Sequence, residues 1–175
     1  VREGRDYSFQ TGPQGDPVHW PCTTGIAVGF QGATPAGADD ALQLVVGRLR
    51  DASGLPLQAD GPLPASGAIT IRYVPAGQRT FGMILTGDIV GKAQTSYTND
   101  SSITDGHVII LDTLDPTTGV GQQVLMHEIG HALGLGHSAP GRPEVMVPSS
   151  TSEASPTLGP GDLYALKTIG CTANN

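Results

Sequence analysis

The chain has 175 residues and a mass of 17.9 kDa, and it carries a formal net charge of -7. This length predicts one domain over residues 1–175, with an irregular segment over residues 1–20. The acidic balance, without a Lys/Arg cluster, argues against nucleic acid or an anionic membrane as a partner. Because no apolar run approaches the roughly 18 residues that span a bilayer, we expect no membrane insertion.

The first predicted elements are a strand and a helix. Ile26–Phe30 alternates between apolar and small residues, as strands do. Thr34 followed by Pro35 is typical of a helix start, and apolar residues at helical spacing predict a helix near residues 35–52. Gly54 is expected to end this helix, because glycine readily adopts a left-handed conformation.

The middle of the chain is predicted to consist mainly of strands. Residues 68–74 and 107–112 are strong strand candidates, whereas residues 81–90 and 92–98 are weaker ones. A helical pattern then covers residues 120–133.

A last helix is predicted to start near Gly159, with Leu163, Leu166 and Ile169 as its buried stripe and Gly170 at its end. The order of strands and helices predicts an α/β (α+β) fold in which helices pack on a twisted mixed sheet.

The motif with the clearest chemistry is HExxHxxGxxH over residues 127–137. In a helix, His127 and His131 lie on one face and can bind the same zinc ion. Glu128 projects beside that metal, where it can act as a general base on a zinc-activated water. Gly134 lets the backbone turn out of the helix and bring His137 to the same ion. Three neutral ligands leave the fourth position open, as in catalytic zinc sites.

With this motif and the segment Val145–Pro148, the chain resembles the metzincin metalloproteases. The segment is similar to their Met-turn, which would place the Met146 thioether beneath the zinc-binding imidazoles. Ser138 directly after the third histidine, and Pro148 two residues after the methionine, are similar to matrixins, especially the short bacterial ones. The resemblance implies a metzincin-like mixed sheet with an active-site helix, an N-terminal backing helix and a C-terminal helix. It also implies a zinc endopeptidase that hydrolyses peptide bonds of proteins, and we expect this protein to be a monomer.

The start of the last helix is similar to the corresponding helix entrance of matrixins, although Gly161 replaces the first of two adjacent aspartates. The resemblance implies that Asp162 hydrogen-bonds the Met-turn backbone, and that the amino group of Val1 forms no salt bridge there.

By analogy with the family, an extended peptide is expected to add a strand at a sheet edge, and residues 107–112 are predicted to be that edge. The predicted pocket for the side chain after the cut is lined by the helix near Val124 and by residues 148–150. The candidate substrate-binding residues are His107, Val108, Ile109, Val124, Pro148 and Ser149.

Besides the one catalytic zinc, a calcium ion is a further candidate, although surface acids in polar loops are the simpler interpretation. The acidic and amide residues concerned are scattered: Asp88, Asn99, Asp100 and Asp105.

Cys22 and Cys171 lie near opposite ends of the chain. In a secreted protein they would form one disulfide between the N-terminal region and the last helix; the alternative is two unpaired buried thiols. We expect an extracellular protein whose export signal lies outside this sequence. His19 could in principle ligate zinc in a latent form, but a surface histidine beside a partly buried Trp20 is the simpler interpretation.

Two other functions remain open from the sequence. One is a catalytically silent zinc-binding module that recognises peptides, against which the intact Glu128 argues. The other is a hydrolase acting on a non-protein amide, which the long histidine motif with a Met-turn disfavours.

Overall fold

The computed structural model describes residues 1–148 and 156–171. Seven strands and three helices occur in this part of the chain. In chain order they are β1 (Ser8–Phe9), β2 (Ile26–Phe30), α1 (Ala38–Ser53), β3 (Leu57–Gln58), β4 (Ala68–Val74), β5 (Gly91–Tyr97), β6 (Ile103–Leu111), α2 (Gly119–Ala132), β7 (Leu135–Gly136) and α3 (Pro160–Ile169).

Five of the strands form one mixed sheet in the order β3-β2-β4-β6-β5. Neighbouring strands are parallel except β5, which runs antiparallel to β6 along one edge. The three helices join the sheet around one apolar core, in which α1 contacts both α2 and α3. The predicted metzincin-like fold, a mixed sheet with three helices, is confirmed.

The prediction that residues 107–112 form the sheet edge is wrong. Residues 107–111 belong to β6, which pairs with β4 on one side and with β5 on the other, and Asp112 follows the end of this strand. Val108 and Ile109 are fully buried, with 0% of their surface exposed. Since the backbone of β6 already has partners on both sides, this strand has no free edge for a peptide.

Two other predicted elements differ from the structure. Residues 81–90 form a loop, because Phe81 (φ 51°) and Gly82 (φ 79°) adopt left-handed conformations that a strand excludes. The apolar side chains of Phe81 and Leu85 pack on the outer face of the sheet. Helix α1 begins at Ala38, after a left-handed Gly37, and therefore later than predicted from Thr34.

The last helix follows its prediction except at one position. Leu166 and Ile169 are buried as expected, but Leu163 is 46% exposed.

The predicted disulfide between Cys22 and Cys171 is confirmed, with 5.6 Å between the two Cα atoms. A disulfide typically stabilises a fold by about 2–4 kcal/mol, and by more when it closes a longer loop. None of the helices in the described residues is long and apolar enough to cross a membrane.

The N-terminal segment is anchored by Asp6, a buried carboxylate. Arg5 and Arg142 each place a guanidinium nitrogen 2.7 Å from its oxygens, and the backbone N–H of Arg2 donates to it at 2.9 Å. The hydrogen bond from Arg5 is the main cause that holds the pKa of Asp6 well below its ordinary value of 3.8; the backbone N–H and the charge of Arg142 add to it. Asp6 therefore favours the folded state in its ionised form.

We predict an acid-dependent loss of stability through Asp6. Since its folded pKa is lowered, its contribution is present above about pH 4 and is lost as the pH falls further. Urea midpoints of the wild type and of Asp6→Asn, both with a chelator present, should differ at about pH 5. This difference should shrink by about pH 3, and a gap that is the same at both pH values would contradict the assignment.

Candidate metal centre

The ring nitrogens of His127, His131 and His137 converge on one point. Helix α2 carries the first two on one face, and a turn at Gly134 (φ 107°) redirects the chain so that the third joins them. The three Nε2 atoms lie 3.0, 3.1 and 3.2 Å from one another. Within the described ranges this is the one group of three or more His, Cys, Asp or Glu that could hold a metal ion.

Backbone carbonyls fix the orientation of two of these rings. His127 Nδ1 lies 2.8 Å from the carbonyl oxygen of Val145, and His131 Nδ1 lies 2.8 Å from that of Leu135. Because a carbonyl can only accept, each Nδ1 carries the proton and each Nε2 keeps its lone pair. This is the hydrogen-bonding pattern that metal-binding histidines typically have.

The electrostatic surroundings keep the three imidazoles neutral. Burial lowers the pKa of His131 to about 3, and the neighbouring His127 and His137 add to the shift. Burial also lowers the pKa of His127 and of His137. Neutral imidazole is the form that binds metal, so the site needs no deprotonation at neutral pH.

The donor set fits zinc. Tetrahedral zinc with Zn–N bonds of about 2.0–2.1 Å holds its ligand atoms about 3.3 Å apart, close to the spacing of these nitrogens. Three histidines on such a centre leave the fourth position for water or substrate, as in catalytic zinc sites.

Glu128 lies beside this centre and is 6% exposed. Its Oε2 is buried, and no hydrogen-bond partner for it exists in the described part of the chain. Burial raises the pKa of Glu128 to about 8, and a divalent cation nearby would lower it again. A carboxyl group with such proton affinity and a free oxygen is suited to proton transfer near neutral pH.

Gly91, the first residue of β5, makes room for this carboxyl group. A Cβ at Gly91 would lie 2.6 Å from Glu128 Oε1 and 2.9 Å from Cδ, closer than real Cβ atoms approach. We predict that Gly91→Ala displaces the carboxylate and lowers kcat/KM by about 10- to 100-fold, while zinc affinity stays unchanged.

The control for this variant is Gly47→Ala in α1, where an added Cβ meets no atom within 4 Å. Steady-state kinetics on one peptide substrate and a chelator competition would measure both quantities. Equal kcat/KM for Gly91→Ala and Gly47→Ala would show that Glu128 does not depend on the space at Gly91.

Met146, in the segment similar to a Met-turn, packs against α2. A Cβ at Gly130 would lie 2.6 Å from Met146 Sδ, so a larger residue here would displace the thioether from its place against this helix. Asp162 accepts hydrogen bonds from the backbone N–H of Val145 at 2.6 Å and of Met146 at 3.2 Å. The side chain of Asp162 thus lies where the resemblance placed it, next to the Met-turn backbone.

A second carboxylate, Glu144, was missed by sequence reasoning. Its Oε2 accepts from the backbone N–H groups of Gly161 at 3.0 Å and Asp162 at 3.1 Å, at the start of α3. Gly159, the N-cap residue, has no side chain to satisfy these groups, so an acceptor had to come from elsewhere. The missing side chain at Gly159 was the only indication in the sequence that another acceptor is needed. It does not identify which acidic residue accepts these hydrogen bonds.

A cavity of about 470 Å³ adjoins the metal centre. Of the predicted pocket residues, Val124 and Pro148 line it, together with His127 and Glu128. Ser149 and Ser150 lie outside the described residues.

The other predicted substrate-binding residues, His107, Val108 and Ile109, are on β6 and do not line this cavity. The ring of His107 instead packs against Phe81, with 4.5 Å between the ring centroids.

Among the remaining sequence candidates, Asp88 lines this cavity, whereas His19, Asp100 and Asp105 do not. His19 is exposed and is not among the metal-binding group, while the indole of Trp20 is buried and donates to the carbonyl of Ala132 at 2.9 Å. The carboxylate of Asp100 accepts from Thr98, and that of Asp105 accepts from the backbone N–H of Gly67. Asp100 is therefore engaged in a local turn, whereas Asp105, on β6, holds the backbone directly before β4.

Comparison with known proteins agrees with this geometry. The sequence model of the matrixin family matches residues 76–169, which is more than half of the chain and includes all three histidines. No curated protein matches the chain. The chain therefore belongs to the matrixin family of zinc metalloproteases.

Proposed function

We propose that this protein is a zinc-dependent endopeptidase in which Glu128 is the general base. The observation that carries the proposal is the convergence of three neutral Nε2 atoms beside a buried carboxylate, one oxygen of which has no hydrogen-bond partner among the described residues. Metal ligands alone would suit a structural zinc site, but such a site has no use for Glu128.

The chemistry divides between the metal and the protein. Zinc held by His127, His131 and His137 would supply Lewis acidity, which lowers the pKa of water and polarises the scissile carbonyl. Glu128 would accept the proton of the attacking water and donate it to the leaving amine. The Nδ1 hydrogen bonds to the carbonyls of Val145 and Leu135 would hold two of the imidazoles in their ligating orientation.

The substrate is proposed to bind along β5. This strand forms one edge of the sheet, runs antiparallel to β6 and contacts α2, the helix that carries two of the converging histidines. A peptide in extended conformation can pair with such an edge through backbone hydrogen bonds, largely independent of its sequence. Gly91 at the start of β5 lies against Glu128, which would bring the paired peptide bond close to the base.

The cavity next to the centre is proposed to accept the side chain that follows the cut. Its walls are mainly apolar, and they come from the residues directly before β5, from α2 and from the segment Val145–Pro148. The apolar lining residues are Ile89, Val90, Val124, Val145, Val147 and Pro148. An apolar side chain would release water from these walls, so we expect Leu, Ile or Phe after the cut to be preferred over charged residues.

A proteome-derived peptide library tests this function. Mass spectrometry of the new N-termini should show internal cuts, enriched in apolar residues after the cut and abolished by a zinc chelator. Internal cuts without such enrichment would contradict the pocket assignment only. No cuts by a chain that binds zinc would contradict the endopeptidase and favour a silent binding module.

We further propose that residues 1–175 form a single catalytic domain that acts outside the cytosol as a monomer. The disulfide supports an oxidising compartment, since such bonds are rare in proteins of reducing ones.

A further inference from the structure

The N-terminal segment lies along the chain that carries the last two metal-binding histidines. Strand β1 pairs antiparallel with β7, the two residues directly before His137. The backbone N–H of Gln10 donates to the carbonyl of Gly134 at 2.8 Å, at the turn between His131 and His137. Residues far apart in sequence thus form one small hydrogen-bonded unit around these ligands.

The Gln10 side chain is at the centre of this unit. Its Nε2 donates to the carbonyl of His131 at 2.7 Å and to the carbonyl of Leu135 at 3.2 Å. Its Oε1 accepts from the hydroxyl of Thr95 on β5 at 2.9 Å. All three contacts bridge more than 80 residues of sequence, so the amide connects three separate elements.

One of these contacts reaches a metal ligand directly. The carbonyl of Leu135, which accepts from Gln10, is the same carbonyl that accepts from His131 Nδ1. Gln10 therefore fixes the position of the group that orients the His131 ring. Partners of this kind affect metal affinity although they do not touch the metal.

The third ligand is held by the same segment. Ser8 Oγ donates to the carbonyl of His137 at 2.6 Å. A Cβ at Gly136 would lie 2.4 Å from this hydroxyl oxygen, so the close approach of the two strands depends on glycine there.

We infer that Gln10 is a positioning residue for the metal centre, joining the N-terminal segment, the turn between His131 and His137, and the edge strand β5. Through Leu135 it sets the orientation of His131, and through Thr95 it fixes β5 relative to the metal. The inference rests on the proposed zinc site, but it concerns metal affinity and ligand geometry and is independent of peptide cleavage.

The test measures zinc affinity by chelator competition and ligand geometry from the visible spectrum of the cobalt(II)-substituted protein. Gln10→Leu removes the amide and should weaken zinc binding by about 10- to 100-fold, with a changed cobalt spectrum. Gln10→Glu replaces the N–H donors with an acceptor oxygen and adds a negative charge, and it should behave similarly because the carbonyls of His131 and Leu135 lose their donor. Gln14→Leu, an exposed glutamine of the same segment, is the control and should match the wild type.

If the Gln10 variants do not fold, Thr95→Val tests the same inference. It removes only the hydroxyl that donates to Gln10, and it should weaken zinc binding several-fold. Gln10 or Thr95 variants with wild-type zinc affinity and an unchanged cobalt spectrum would overturn the inference, even if their apo forms are less stable in urea. A wild-type chain that binds no zinc would instead contradict the proposed metal site.

Discussion

Replacing Glu128 with alanine should leave zinc binding intact and lower kcat/KM by about 10²- to 10⁴-fold. The carboxyl group lies beside the three histidines but is not one of the converging ligand groups, so its loss removes the proton acceptor and no metal ligand. Glu128→Gln, which keeps the size of the side chain, should be as inactive as Glu128→Ala. Equal effects of both variants would show that the loss of activity comes from the missing proton acceptor and not from changed packing.

Kinetics on a peptide substrate and zinc content by elemental analysis are the two measurements required. Glu3→Ala, at an exposed position of the N-terminal segment, is the control and should retain wild-type activity. If Glu128→Gln retained near-normal turnover with zinc bound, the proton acceptor would have to be another group.

Removing the carboxylate of Asp162 should have the largest effect on stability. Asp162 is 1% exposed and accepts from three backbone N–H groups, those of Val145, Met146 and Gly159. Each buried donor left without a partner costs about 1–3 kcal/mol, so we expect Asp162→Ala to lose about 4 kcal/mol of unfolding free energy. Urea unfolding of the apo protein measures this loss.

The same substitution should weaken zinc binding. Asp162 holds the backbone N–H of Val145, whose carbonyl accepts from Nδ1 of the ligand His127. Asp162→Asn, which keeps one acceptor oxygen, should have an intermediate effect, and Asp60→Ala on the surface should have none. A loss below about 1 kcal/mol for Asp162→Ala would show that water replaces the carboxylate at the Met-turn.

The metal ligands could be predicted from the sequence because their spacing is local. His127 and His131 are one helical turn apart, and Gly134 marks the point where the chain can turn back. The strands at 26–30 and 68–74 were also predictable, since their apolar residues have the spacing of buried strands.

The edge strand was misassigned because the prediction relied on analogy rather than on pattern. The continuous apolar run of β6 from Val108 to Leu111 is typical of an interior strand. By contrast, β5 contains exposed polar residues such as Gln94 and Ser96, as expected at an edge. Read in this way, the sequence would have indicated the correct strand.

Other parts of the site depend on contacts between distant residues. The side chain of Gln10 donates to the carbonyl of His131, 121 positions away. The need for glycine at position 91 is visible only when the fold places Glu128 against it. Neither contact follows from a local periodicity or a fixed spacing of residues. Neither could therefore be predicted from a single sequence.

The most direct test of the account is a zinc titration of chelator-treated protein, followed by the rate of cleavage of one peptide identified from the library. The account predicts that cleavage rises in proportion to added zinc and saturates at one zinc per chain. His131→Ala should show no such rise. Cleavage that persists without zinc, or that is restored equally in His131→Ala, would contradict the assignment of the three histidines as the catalytic metal centre.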